Sequence, residues 1–356
     1  MAVSNDASAV SSMDFKKCRK FHVFLVLVLV FVVSCSVSYK WSISGIWQEA
    51  VRRKVNILIW HWPFGDISTL QRDECWDSFH VSGCNLVDNR SVFSQADVVI
   101  YHNRELQNGV SKLPLDLPRL PAQKWVWFSL ESPAHNGDLR RYGGLFNWTM
   151  TYRNDADISV PYGELVPRTT KGNYTIPAKK TLVCWVVSNY QSSHKRSKVY
   201  MSLKSLIPVE VYGRWANKPL NDDQVLPTIS QCYFYLAFEN SEHTDYITEK
   251  LWYNAFLAGT VPVVLGPPRA NYEAYIPKDS FIHVDDFASI TELATFLNEL
   301  ASDKERYNSY FRWRSDYDVK RYHSWQEQFC KICEIYERLP PRKIYDDLDS
   351  WSKHEP

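Results

Sequence analysis

The stretch YFYLAFENSEHTDYITEKLWYNAFLAGTVPVVLGPP (233–268) decides the fold. Residues 233–238 form a short aromatic and apolar run, the pattern of a buried strand. Residues 239–245 are polar and read as a loop. From Tyr246 the apolar residues Ile247, Leu251, Ala255 and Ala258 recur at helical spacing, with Asp245 as expected N-cap and Gly259 as expected stop. Residues 261–265 are a second buried strand, closed by Gly266 and two prolines. Strand, helix, strand in so few residues is a βαβ unit, which builds parallel α/β sheets. The helix start carries the chemistry. Free N–H groups and the helix dipole attract phosphate there. Lys250 would add a cation, and Tyr246, Thr248 and Glu249 offer groups to grip a sugar or ribose. The competing reading is a surface helix with a solvated Glu–Lys pair.

Moving outward, the same logic repeats. Residues 181–187 are a strand ending at Ser188 and Asn189, and 194–206 a helix with Arg196 at its start. Arg196 and Lys250 would face one crevice from two helix N-termini, a good diphosphate site. Residues 209–212 add a strand, and 289–300 a helix. There is no GxGxxG and no Walker A motif, which argues against a dinucleotide or P-loop enzyme. Upstream, 55–60, 97–101 and 124–130 read as strands ending in polar or aromatic clusters. Ligands of open α/β sheets bind at such carboxyl ends. Glu131 directly follows the third of these strands, beside a proline, where a carboxylate is suited to act as a base. A capping or salt-bridging role is its bland alternative. Asp155-Ala156-Asp157 has the look of a metal-binding pair, but such spacing is common in turns and no metal is assigned.

The whole chain has 356 residues and net charge +1, so it presents no basic field for nucleic acid. Aromatics make up 15%, which suits carbohydrate, although most will be core. Residues 1–20 end in a basic cluster and read as a cytoplasmic tail. Residues 21–37 are apolar and read as an uncleaved signal anchor that leaves the bulk lumenal; a cleaved signal peptide is the rival. Residues 38–53 are a stem, 54–170 a first domain, 171–180 a linker, 181–327 a second domain and 328–356 a tail. Three sequons, at Asn89, Asn147 and Asn173, and six cysteines beyond the anchor agree with a lumenal, oxidising setting. Those cysteines are Cys75, Cys84, Cys184, Cys232, Cys330 and Cys333, and spacing alone does not choose among their pairings. A zinc site at Cys330 and Cys333 lacks a second ligand pair.

FEN (238–240), DYITEKLW (245–252), AFLAGTVPVVLGP (255–267) and NYEAYIPKDSFIHVDDF (271–287) resemble the donor region of the α1,3-fucosyltransferases, glycosyltransferase family 10. LESPAH (130–135) and WVVSN (185–189) followed by Arg196 resemble further motifs of that family. The likeness runs from about Val55 to the end. It implies an α/β fold of GT-B type, two Rossmann-like domains facing a cleft, with the tail returning to the first domain. It implies a Golgi type II membrane enzyme that moves L-fucose from GDP-β-L-fucose, with inversion, to O3 of GlcNAc in N-acetyllactosamine on glycoproteins and glycolipids. WHWPF (60–64), LPTISQ (226–231), GPPRA (266–270), HVDDF (283–287) and FCKIC (329–333) resemble the members that build sialyl Lewis x, which implies α2,3-sialylated acceptors and a selectin ligand as product. Broader use of neutral chains, and a non-catalytic sugar-binding protein, are the alternatives. The resemblance implies Glu131 as base. Arg196 and Lys250 would hold the diphosphate, Asn240, Tyr246, Thr248 and Glu249 would position the fucose or ribose, and Ser188, Asn189 and Tyr235 would line the nucleotide. His61, Trp62, Asp66, Arg104 and Trp313 would meet the acceptor, Asp66 standing where some relatives have Gln. It also implies that Cys75 and Cys84 join Cys330 and Cys333, and Cys184 joins Cys232, with local pairing as the alternative. No cofactor is required, and stimulation by a divalent metal stays open.

Overall fold

The computed structural model describes Phe31, Ser34, Cys35 and residues 53–354 other than Asn173 and His323. The chain divides into two compact units, Met1–Lys54 and Val55–Pro356. The tail, nearly all of the expected anchor and most of the stem lie outside the described residues, as does the sequon residue Asn173. No helix among the described residues is long and apolar enough to cross a membrane.

The unit Val55–Pro356 is built on two parallel sheets. The first contains β1 (Val55–Ile59), β2 (Cys84–Val87), β3 (Val98–His102), β4 (Lys124–Ser129), β5 (Trp148–Thr151) and β6 (Ile158–Ser159), in the order β2-β1-β3-β4-β5-β6. A short antiparallel pair joins β7 (Gly163–Pro167) to a late strand, β13 (Tyr317–Arg321). Between them lies the second sheet: β8 (Thr181–Val186), β9 (Val209–Tyr212), β10 (Cys232–Phe238), β11 (Val261–Leu265) and β12 (Ile282–His283), in the order β12-β11-β10-β8-β9. The strands are apolar on both faces, as parallel sheets covered on both sides require. Ile57 and Ile59 enter one core, Leu58 and Trp60 the other. In the second sheet Phe234, Leu236 and Phe238 alternate with Tyr235 and Ala237 in the same way.

Strand order reverses direction between β1 and β3 and again between β8 and β10. Ligands of open α/β sheets bind beyond the carboxyl ends of strands at such switch points. The segment WHWPF and the short helix Asn103–Gln107 leave the first switch point, and Ser188-Asn189 and Glu239-Asn240 the second.

The late helix Trp325–Ile335 packs Phe329 and Ile332 into one face of the first sheet. Two disulfides fix it there, Cys75–Cys330 and Cys84–Cys333, with Cα separations of 5.5 and 5.8 Å. The third, Cys184–Cys232, ties β8 to the start of β10. Among the described residues Cys35 is the free cysteine. Of the sequons, Asn89 is exposed, its Oδ1 accepting from the Ser91 N–H. Asn147 is buried: its Oδ1 accepts from Trp125 N–H and Arg119, and its Nδ2 donates to the Lys343 carbonyl. That side chain is a structural strut, and the expectation of a glycan on it fails for lack of access.

The helix of the opening stretch also differs from expectation. Residues 246–248 are not helical, and a π-helix spans Lys250–Leu257. Asp245 is no N-cap; it lies in the left-handed region at φ 64°. Its carboxylate accepts from the Asn154 N–H, Asn271 Nδ2 and the Tyr275 hydroxyl. Gly259, at φ 71°, ends the helix where a side chain would be strained.

Candidate active site

Strand β10 delivers Glu239 to its carboxyl end, buried at 4% exposure. The Glu239 carboxylate accepts from the Thr248 N–H at 2.8 Å and from the Thr248 hydroxyl, and it pairs with Lys250 Nζ at 3.0 Å. Lys250 Nζ also donates to Thr248 Oγ1 at 2.7 Å and reaches Glu249 at 3.1 Å. Burial pushes the Glu239 carboxyl up, and Lys250 opposes it. Burial alone would lower the Lys250 ammonium, but Glu239 and Glu249 raise it well above its ordinary value and keep it charged. Glu249 is half exposed, and although the surrounding protein partly desolvates it, Lys250 holds that carboxyl low. Two carboxylates and a hydroxyl thus aim one ammonium at the helix start.

Arg196 comes to the same place from the helix Lys195–Lys204. It is 6% exposed, and one guanidinium nitrogen donates to the Asn189 carbonyl. Burial lowers its pKa while Glu239, Tyr246, Tyr235 and Glu249 pull the other way, which sets it among the groups around Lys250. Arg196 Nε, His194 Nδ1 and Asn240 Oδ1 are buried without a hydrogen-bond partner among the described residues. Such orphans are costly unless a ligand or water completes them.

A cleft of about 540 Å³ opens between the two sheets. Arg104, Glu131 and His135 line it from the first, Asn189 and Asn240 from the second. No hydrogen bond to the Glu131 carboxylate is found among the described residues, although its backbone is held: its N–H donates to Ser129 Oγ at 3.2 Å. Tyr246 is buried, its ring 5.0 Å from Tyr152 and 6.3 Å from Tyr162. Burial raises its pKa, and Lys250, Glu239, Glu131 and Glu249 all act on its hydroxyl. Tyr246 thus feels the charges of both Glu131 and the Lys250 cluster.

Several expected residues lie elsewhere. Tyr235 is fully buried, and its hydroxyl accepts from Asn254 Nδ2; strand alternation turns it under the π-helix, away from any nucleotide. Thr248 is buried and spent on Glu239 and Lys250. Trp62 packs on Phe329 in the core and donates to Asp88. Trp313 is core as well, its ring 4.5 Å from Phe256. Both are turned into the core, and neither lines the cleft. Ser188 and Asp66 are exposed, and His61 donates from Nδ1 to the Trp62 carbonyl. Asp155 forks onto Arg153, and Asp157 binds Lys343 and Tyr345. Among the described residues no cluster of three metal-ligating side chains occurs.

The first switch point instead presents Phe64, 47% exposed. Its ring stacks on Trp325 at 5.9 Å, and the Arg104 guanidinium lies 4.6 Å from it. Phe64 adopts φ 58°, unusual for a bulky residue, and its N–H donates to Glu105, which pairs with the buried His102. A strained aromatic held this firmly beside a cleft has the character of a binding residue.

Family models match most of the chain: "Fucosyltransferase, N-terminal" over residues 52–163 and "Glycosyltransferase family 10 (fucosyltransferase) C-term" over 176–351. The chain belongs to glycosyltransferase family 10, the fucosyltransferases. It is similar to alpha-(1,3)-fucosyltransferase 7 of Rattus norvegicus, 48% identical over 83% of this chain and 79% of the relative. The Homo sapiens form is 47% identical over 83% and 86%. The 4-galactosyl-N-acetylglucosaminide 3-alpha-L-fucosyltransferase 9 of Rattus norvegicus is 46% identical over 84% and 82%. A solved α1,3-fucosyltransferase with GDP-fucose shares the fold, with a TM-score of 0.53 at 20% identity over 83% of this chain and 93% of that one. This fucosyltransferase is thus an enzyme of the α1,3 class. Glu239, Phe64 and Trp325 escaped the reading of its sequence. Glu239 follows a buried strand just as Glu131 does, and the same rule would have found it.

Proposed function

We propose that this fucosyltransferase moves L-fucose from GDP-β-L-fucose to O3 of GlcNAc in N-acetyllactosamine, with inversion. One observation carries the reading: Glu131, a carboxylate without a hydrogen-bond partner among the described residues, opens on a cleft also lined by Asn189, whose carbonyl accepts from Arg196, and by Asn240, which directly follows the Glu239 that pairs with Lys250. Direct displacement needs a base on one side and charge stabilisation on the other. As the acceptor oxygen attacks the anomeric carbon, its proton passes to Glu131. The bond from that carbon to the diphosphate breaks, and the electron pair stays on the departing GDP, facing Arg196, Lys250 and the free N–H groups of the helix Lys195–Lys204. Asn240 and Glu249 hold fucose or ribose hydroxyls. The acceptor's apolar sugar face rests on Phe64 and Trp325.

Arg104 beside Phe64 favours a sialylated acceptor, because it has no carboxylate partner among the described residues and would pair with the sialic acid carboxylate. The reading would make the product a sialyl Lewis x type selectin ligand. The similarity to the 3-alpha-L-fucosyltransferase 9 favours a second reading, in which neutral N-acetyllactosamine is also used. We place the enzyme in the Golgi membrane as a single-pass type II protein, on the apolar run 21–37 with its basic flank.

Glu131→Gln tests the mechanism. Transfer should fall by roughly 10²–10⁴, the usual worth of a positioned base, while GDP affinity by calorimetry stays unchanged. Near-normal turnover would remove Glu131 from the role.

A further inference from the structure

Glu131 is held by its two chain neighbours, and one of them is anchored by the donor-side loop. The Leu130 carbonyl accepts from the Tyr162 hydroxyl at 2.6 Å, and the Tyr162 ring meets the edge of Tyr246. Ser132 is fully buried, and its Oγ accepts from Ser241 at 2.5 Å. Ser241 follows β10 and belongs to the second sheet's switch-point loop; Ser132 follows β4 in the first. Ser132 also contacts His135 Nδ1 at 3.0 Å. With Ser241 donating to Ser132, the Ser132 hydrogen goes to His135 Nδ1, and the three side chains form one directed chain beside the base.

The loop that carries Ser241 is the one that answers to donor. Asn240, its neighbour, keeps a buried Oδ1 without a partner in the cleft, and Glu239 fixes Lys250. From these contacts we infer that Ser241 is a positioning residue. It holds Glu131 through Ser132, so that the loop carrying Glu239 and Asn240 also sets the base against the acceptor hydroxyl. The inference rests on the proposed role of Glu131. Misplacing a catalytic group by a fraction of an ångström is costly to rate and cheap to binding.

The test is steady-state kinetics on the full chain in detergent, with Ser241→Ala, Ser132→Ala, the double variant and Ser241→Thr, and with Glu131→Gln alongside. Loss of the single hydrogen bond should lower kcat roughly three- to tenfold, with KM for acceptor and the Kd for GDP unchanged. The double variant should lose no more than either single one, because both remove the same link. Ser241→Thr, which keeps the hydroxyl, should restore kcat. A structural role alone would move the melting temperature and would not give this split between kcat and KM. Wild-type kcat in Ser241→Ala, or losses that multiply in the double variant, would overturn the inference so long as Glu131→Gln is inactive. An active Glu131→Gln would instead mean that the base itself is misassigned.

Discussion

In the proposed mechanism Lys250 binds donor as well as supporting the fold, and the structure allows the two roles to be separated. Lys250→Met leaves Glu239 buried with only the Thr248 donors. Breaking a buried pair by removing one partner costs about 3–5 kcal/mol, because a charge is left uncompensated. The exposed partner Glu249 adds little, since surface pairs contribute about 0–1 kcal/mol. For a chain of this size the loss amounts to a fall in Tm of roughly 10 °C. GDP affinity should fall as well, by about 10- to 100-fold for one charge-assisted hydrogen bond to phosphate. Adding Glu239→Gln removes the stranded carboxylate. The double variant should regain most of the lost Tm, to within about 1–2 kcal/mol, yet bind GDP as weakly as the single one. Calorimetry for GDP and a thermal melt on the same samples decide it. Wild-type GDP affinity in the double variant would refute Lys250 as a phosphate ligand. A single variant that melts like wild type would refute the buried pair as a support of the fold.

Four other outcomes follow from the geometry. Phe64→Ala or Trp325→Ala should raise acceptor KM several-fold, on the order of one lost aromatic contact, with GDP affinity unchanged. Arg104→Gln should cost sialylated acceptors about tenfold or more and neutral ones little, read by competing the two in one assay. Replacing Cys184 and Cys232 by Ser opens a link of sequence separation 48 and should cost about 4 kcal/mol in a denaturant melt. Lys179, which donates to the Ser230 and Gly259 carbonyls, gives a pH signature. Burial, helped by Arg314, pulls its pKa down to about 7. The unfolded chain keeps that proton up to about pH 10 and the folded chain does not, so stability attributable to Lys179 rises with pH between the two values. Lys179→Met should remove that rise from a plot of Tm against pH.

The opening stretch showed the fold because β10 and β11 are short apolar runs with Gly and Pro at their ends, a signal that is local. Its helix was misjudged because Ile247 fits a helical period, whereas tertiary contacts at Asp245 and Glu239 hold residues 246–248 open. Glu131, Arg196 and Lys250 were legible as charges at strand ends and helix starts. Which aromatics gather beside Arg104, a residue of the cleft lining, was not. Trp62, Tyr235 and Trp313 differ from Phe64 and Trp325 only in which side of a strand, loop or helix they occupy, and that is settled by packing between segments far apart in sequence. Asn147 carries a sequon that is intact as a motif, and only its bonds to Trp125, Arg119 and Lys343 show the amide to be out of reach.

The most direct measurement is transfer by the full chain in detergent, with GDP-fucose offered to α2,3-sialylated and neutral N-acetyllactosamine together, and with the product linkage read by NMR. The account expects α-linked fucose on O3 of GlcNAc, preference for the sialylated chain, and no product from Glu131→Gln. Firm GDP binding with no transfer to either acceptor, or a β-linked product, would contradict it.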